Sequence, residues 1–206
     1  MGGYVIAGGA SRRFGADKAL VEFAGRTLLS RMCELVAATT GSAHVVAPAG
    51  RYSSHGLSLV EDRWPDQGPL GGIITALRAT QGSGSGEEWN LMVSCDMPFL
   101  TREWLEYLAA SAAASGAEVV VPRSTYGLEP LCACWRTSAV TKLQAAFDEG
   151  VRKVTDAMKR LRTEILDETR WKRFDSAGRL FWNLNTPQDY QAALQMWETS
   201  ERERSR

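Results

Sequence analysis

Apolar residues follow two alternating rhythms along this chain. Short continuous runs at residues 4–7, 43–47, 89–94 and 118–121 have the character of strands covered on both faces. Residues 58–60, 131–135, 164–167 and 180–184 read as further strands. Between the runs, apolar positions recur three and four apart, which predicts helices over 27–38, 70–80, 102–114, 138–147, 153–161 and 187–197. Gly68-Pro69 opens the second helix and Thr101 stands where an N-cap is expected. Pro187 occupies a first turn that has no use for its missing N–H. The Gln-Gly-Ser-Gly-Ser-Gly run at 81–86 reads as a flexible connection. With no repeat and no break in composition, residues 1–198 are expected to form one domain, and 199–206 a charged, disordered tail. Strand–helix alternation predicts a single three-layer α/β domain, its mostly parallel sheet carrying helices on both faces. Ligands of such sheets bind beyond the carboxyl ends of the strands. Gly8, Asp62, Asp96 and Asn185 all fall at or just after such predicted ends.

Composition narrows the function classes. The 206 residues balance 24 basic against 24 acidic side chains, so bulk electrostatics does not suit the chain to nucleic acid. No apolar run approaches the ~20 residues that span a bilayer. The first apolar stretch is too short for a signal peptide, which predicts a cytoplasmic protein with no membrane partner. The four cysteines, Cys33, Cys95, Cys132 and Cys134, form no C-x-x-C pair. Cys132 and Cys134 are spaced to share one face of a strand, as buried, reduced thiols.

The richest chemistry lies where the first strand ends, in Ile6-Ala7-Gly8-Gly9-Ala10-Ser11-Arg12-Arg13-Phe14-Gly15-Ala16-Asp17-Lys18. A glycine pair lets backbone N–H groups turn toward an anion. Arg12, Arg13 and Lys18 bring cations to the same place, which suits a polyphosphate. No Gly-Lys-Ser/Thr closes a Walker loop, and the G-x-G-x-x-G fingerprint of dinucleotide folds is absent. A solvated basic turn is the bland alternative.

The GG-x-S-x-R-x-G-x-DK pattern resembles the nucleotidyltransferases, and most nearly the MobA-like molybdenum cofactor guanylyltransferases. Glu61-Asp62, Gly68-Pro69-Leu70-Gly71-Gly72, Cys95-Asp96-Met97-Pro98 and Asn183-Leu184-Asn185-Thr186-Pro187 continue the likeness in order, with Glu129-Pro130-Leu131 a weaker sixth segment. Together they cover residues 4 to about 197. The resemblance implies a Rossmann-like, nucleotide-diphospho-sugar-transferase-like fold. It also implies transfer of GMP from GTP to Mo-molybdopterin with release of pyrophosphate. Mg²⁺ is the implied cofactor, and transient contact with other molybdenum cofactor biosynthesis or acceptor proteins is left open.

The likeness assigns nucleotide binding to Ile6, Ala7, Gly8, Gly9, Ser11, Arg12, Lys18, Asp62, Pro69, Leu70, Gly71, Gly72 and Asp96. Arg12, Lys18 and Asp96 are the catalytic candidates, the two cations opposing charge on departing pyrophosphate. Asp96, whose bland reading is a turn acceptor, is the expected Mg²⁺ ligand together with Asn185, since magnesium takes one or two carboxylates plus phosphate oxygens and water. Asn183 and Asn185, ordinary helix-cap residues otherwise, would meet the second substrate. Asp17 would orient Lys18. Of the seven tryptophans, only Trp182 is placed to be tested against a ligand.

One departure stands out. These guanylyltransferases often carry an asparagine after the second strand, where this chain reads Val46-Ala47-Pro48-Ala49-Gly50. Cytidylyl relatives typically read Ala-Gly in the first loop and Asp-Thr-Pro near the end, whereas this chain has Gly8-Gly9 and Asn185-Thr186-Pro187. A transferase using CTP or another phosphorylated acceptor therefore remains an alternative, as does a non-catalytic nucleotide- or pterin-cofactor-binding relative.

Overall fold

The computed structural model describes residues 1–8, 17–175 and 177–204. The chain runs β1 (Gly2–Ile6), a small hairpin of β2 (Glu22–Phe23) and β3 (Arg26–Thr27), α1 (Leu28–Thr40), β4 (His44–Ala47), β5 (Leu59–Glu61) and α2 (Pro69–Ser83). It continues through β6 (Trp89–Ser94), α3 (Arg102–Ala113), β7 (Val119–Ser124), β8 (Gly127–Leu128), β9 (Cys132–Arg136), α4 (Val140–Asp148) and α5 (Val154–Met158). β10 (Thr163–Leu166), α6 (Glu168–Trp171) and α7 (Pro187–Arg204) complete it.

The main sheet has the order β10-β7-β9-β6-β1-β4-β5, with β8 paired to β7. β1 pairs in parallel with both β4 and β6, β4 with β5, and β7 with β10. β9 alone on this path runs antiparallel, between β6 and β7. Side-chain alternation divides the interior into two cores. Val5, Val45, Leu91, Val93, Val120, Cys132 and Cys134 face α1 and α3, while Tyr4, Ile6, Val46, Met92, Val121, Ala133 and Trp135 face α2, α4 and α5. The shared face of Cys132 and Cys134 agrees with the spacing in the sequence. Burial pushes the thiols of Cys95 and Cys132 up to about 12 and that of Cys134 higher still, so they stay protonated.

Thr27 and Thr101 cap α1 and α3 through their hydroxyls, and Pro69 opens α2. Two expectations change. Residues 180–184 form no strand, because their apolar side chains are buried without a ladder: Leu180 and Phe181 enter the first core, and Leu184 joins Phe23, Leu28 and Ala193 in a third cluster under the hairpin. Their backbone donors find other acceptors, Leu180 N–H on the Asp175 carboxylate and Leu184 N–H on Asp96 C=O. At the C-terminus, α7 runs to Arg204 instead of ending near 197, so helix continues through residues 199–204 of the expected tail. A Thr186–Asp189 exchange caps its start, each side chain accepting from the other's backbone N–H. No helix among the described residues is long and apolar enough to cross a membrane.

Candidate active site

The carboxyl ends of β1, β4, β5 and β6 lie side by side, and the chemistry gathers there. Beyond β1, the Ala7 N–H bonds to Val46 C=O at 2.9 Å, and the Asp62 N–H to Ala47 C=O at 2.8 Å, so the three strand ends stay in register into the loops. Residues 9–16 follow directly, and Gly9, Ser11 and Arg12, assigned from the sequence, lie outside the described residues, as does Arg13.

Lys18 begins a short 3₁₀ turn whose N-cap is Asp17. Its Nζ donates to Asp96 Oδ2 at 2.8 Å and to Leu184 C=O at 2.6 Å. Three chain segments far apart in sequence thereby meet at one ammonium group. Both charged side chains are about 15% exposed (15% and 16%), so the pair is shielded without being sealed. The other Asp96 oxygen, Oδ1, is buried and has no hydrogen-bond partner among the described residues. A buried carboxylate oxygen left bare is costly unless something binds it. A hard cation is the natural occupant, and Mg²⁺ needs no more than one or two such carboxylates when phosphate and water complete its shell. Among the described residues no three His, Cys, Asp or Glu side chains cluster as a self-sufficient metal site.

Asp17 is held by four donors. Ala19 N–H and the Tyr52 hydroxyl reach Oδ1, each at 3.1 Å, and Arg51 puts Nε at 2.9 Å and Nη2 at 2.8 Å on Oδ2. The turn that presents Lys18 is thus fastened to the loop after β4. Burial and the neighbouring Asp17 carboxylate push the Tyr52 phenol upward, so it remains a donor. Asp17 caps the turn, one of the two roles its place before Lys18 allows, and its partners Arg51 and Tyr52 lie 34 and 35 positions away.

Asp62 is buried beside Gly8. Its Oδ1 accepts from Trp64 N–H at 3.0 Å and from the Thr75 hydroxyl at 3.3 Å, a turn-fixing role, while a Cβ on Gly8 would stand 3.2 Å from Oδ2. The glycine keeps the β1 end clear of that oxygen. In α2, Leu70, Gly71 and Gly72 are buried. A Cβ on Gly71 would meet Trp64 Cβ at 3.0 Å, and one on Gly72 would meet Ile6 Cγ2 at 3.1 Å, so these glycines set the close approach of α2 to the sheet and the β5 loop. Pro69 is exposed at the helix start, and Ile6 is buried in the second core.

Without a strand at 180–184, Asn183 and Asn185 do not share a strand face. Asn183 turns its amide back onto Phe181 C=O at 3.1 Å. Asn185 is exposed next to the Leu184 carbonyl that meets Lys18, its N–H fixed by Asp189 at 3.0 Å. Trp182 packs against the third cluster. Glu129, in the weakest of the sequence matches, is a buried carboxylate that accepts from the Ser124 hydroxyl; burial, and then the charge of Asp96, raise its pKa.

Comparison with known proteins agrees with this geometry. The family model for the MobA-like NTP transferase domain matches residues 3–163. A Chloroflexus aggregans protein named "Probable molybdenum cofactor guanylyltransferase" is 32% identical over 92% of this chain and 91% of its own length. The molybdenum cofactor guanylyltransferase of Desulfosudis oleivorans is 28% identical over 93% of each. The crystal structure of molybdopterin-guanine dinucleotide biosynthesis protein A from Archaeoglobus fulgidus superposes with a TM-score of 0.83 at 27% identity, over 97% of this chain and 100% of that one. Sheet order, the Lys18–Asp96 centre and the ordered motifs therefore have one explanation: this chain belongs to the MobA-like NTP transferase family.

Proposed function

We propose that the protein is a molybdenum cofactor guanylyltransferase, moving GMP from GTP to the phosphate of Mo-molybdopterin and releasing pyrophosphate. The observation that carries this reading is the Lys18 ammonium held between Asp96 and Leu184 at the strand ends, beside a bare buried Asp96 oxygen. The acceptor's phosphate oxygen attacks the α-phosphorus of GTP in line, the new P–O bond forms, and the bond to the β-phosphate oxygen breaks. No protein nucleophile is required, and the buried cysteines, held as thiols, supply none. Lys18, together with the arginines of the loop before it, of which Arg13 holds the arginine position of the motif, opposes the charge that accumulates on the leaving pyrophosphate. Such contacts count for more in a shielded cleft than in water. Asp96, with the amide of Asn185, would hold Mg²⁺, which when bound neutralises and aligns phosphate oxygens. Gly8, Gly9 and Ser11 cradle the phosphates, and Asp62 accepts from the nucleoside. Asn183 and Asn185 border the acceptor. On this reading the enzyme works in the cytoplasm, where its triphosphate substrate is made.

The test is pyrophosphate release from GTP and Mg²⁺ with and without molybdenum-loaded molybdopterin. Release that depends on the acceptor, with GMP recovered on the pterin phosphate, is the expected result. Pyrophosphate formed equally without acceptor would remove transfer as the function.

A further inference from the structure

Away from the Lys18–Asp96 centre, a cavity opens on the β7 side of the sheet. It measures about 210 Å³ and is lined by residues that include Ser124, Tyr126, Trp171, Lys172 and Phe181. That volume is small against the several hundred Å³ of most ligand pockets and suits one flat ring system, not a whole nucleotide.

Three aromatic side chains, Tyr126, Trp171 and Phe181, stand among polar residues in its wall. Trp171 is buried, and its indole N–H donates to Arg123 C=O at 2.9 Å, tying the floor to β7. Phe181 stands edge-on to Trp171, with ring centroids 5.2 Å apart at 88°. Tyr126, at the tip of the β7–β8 hairpin, is 69% exposed, the most exposed large hydrophobic side chain among the described residues. Its backbone is nonetheless fixed, because Tyr126 N–H donates to Ser124 Oγ at 2.9 Å. An aromatic ring in water on an anchored hairpin, at the rim of an aromatic pocket, is placed to close on a flat ligand.

The chain itself links the cavity to the reacting centre. Phe181 is three residues from Leu184, whose carbonyl accepts from Lys18, so at most about 11 Å of chain separates them. A ligand with its ring in the cavity and an anionic tail of modest length would bring that tail toward Lys18.

We propose that this cavity is the subsite for the flat heterocycle of the phosphorylated acceptor, with Tyr126 as its stacking lid. The proposal rests on the functional reading above, which makes the acceptor a pterin carrying a terminal phosphate. Tyr126→Ala removes the ring from an exposed position and leaves the fold intact. It should raise the KM for the acceptor about tenfold, the scale of one lost stacking contact, while calorimetric GTP affinity is unchanged. Tyr126→Phe, which keeps the ring, should restore the acceptor KM.

A second readout needs no turnover. Binding of unsubstituted pterin, followed by its own fluorescence, should weaken by a similar factor in Tyr126→Ala and recover in Tyr126→Phe. Equal pterin binding by wild type and Tyr126→Ala would overturn the subsite and leave guanylyl transfer untouched. Pterin binding that depends on Tyr126, in a protein that transfers no GMP, would overturn the functional reading and keep the subsite.

Discussion

At the scale of single residues, the decisive atom is Asp96 Oδ1. Its twin, Oδ2, is satisfied by Lys18, whereas Oδ1 is buried with no partner among the described residues, so half of the carboxylate is committed to architecture and half is open to a cation. Asp96→Asn keeps the volume and can still accept from Lys18, but it loses the charge a hard cation requires. Turnover should fall by roughly 10²–10³-fold, the size of effect seen when one electrostatic contact to a transition state is removed. Steady-state kinetics at saturating Mg²⁺, with a melting curve to show the fold intact, measure this; wild-type kcat would take Asp96 out of the mechanism. Glu129 gives a prediction of different form. Its pKa is raised in the folded state, mainly by burial, so folding is favoured by its protonated form. Its contribution is fully present below the unfolded carboxyl pKa and is lost as pH rises through the raised folded value. At neutral pH, above the unfolded carboxyl pKa, the raised value is therefore a cost, and Glu129→Gln should raise Tm there. The gain should shrink as pH falls and vanish below about 4, where the acid becomes protonated in both states. Melting curves between pH 4 and 8 check the sign, and a gain that grew on acidification would refute it.

At the scale of elements, the loop after β4 does work that its sequence does not announce. Arg51 and Tyr52 grip Asp17 and so fix the turn that carries Lys18. Arg51→Ala should weaken GTP binding about tenfold, since charge-assisted bonds of this kind contribute about 1.5–3 kcal/mol and their loss frees the Lys18 turn. Arg51→Lys should rescue poorly, because a single ammonium cannot reproduce the paired Nε and Nη2 contacts. Calorimetric GTP titration of both variants gives the answer, and affinity unchanged in Arg51→Ala would mean the clamp serves stability alone. The same contrast explains what could be read from the chain in advance. The run at 89–94 was legible because a central strand is covered on both faces, and α3 because the Thr101 cap precedes periodic apolar positions, whereas α1 shows its period alone, its cap Thr27 falling inside the expected 27–38 helix. Residues 180–184 misled because Leu180, Phe181 and Leu184 are as buried as strand residues, yet their backbone is satisfied by Asp175 and Asp96 instead of a ladder. The hairpin of β2 and β3 has two residues per strand, too few to show a period. Motif order could bring Lys18, Asp96 and Asn185 to one cleft, but not that Lys18 would bond to the Leu184 carbonyl, since a backbone oxygen leaves no mark on composition.

At the scale of the whole molecule, β1 and β6 divide the sheet into two working halves. On one side, β4 and β5 bring Asp62 and the start of α2 to the β1 end. On the other, β9, β7 and β10 carry Glu129, the Tyr126 hairpin and the aromatic cavity. Lys18 and Asp96 sit at the divide, where a nucleotide from one half and an acceptor from the other would meet. This arrangement bears on base choice, because on the proposed reading the half that would take the nucleotide offers few uncommitted polar side chains among the described residues. Residues 46–50 offer no asparagine, and the following Arg51 and Tyr52 are spent on Asp17. Asp62 Oδ1 is spent on Trp64 and Thr75, which leaves Oδ2, beside Gly8, as the carboxylate oxygen for a nucleoside. Gly71 and Gly72 are packed against Trp64 and Ile6, so they shape the wall more than they read a base. On the proposed reading, guanine selection among the described residues would rest on backbone groups at the β1 end and that one oxygen. A site that pairs guanine's N1–H and N2–H₂ leaves acceptors unpaired with cytosine or adenine, at a cost of roughly 1–3 kcal/mol for each buried group. GTP should therefore be preferred over CTP and ATP by about tenfold or somewhat more, one tenfold step being about 1.4 kcal/mol. Competition of the three triphosphates for a limiting pterin acceptor, with the dinucleotide products resolved, measures the ratio directly. Equal incorporation of CMP and GMP would leave nucleotidyl transfer standing and remove guanine from the assignment.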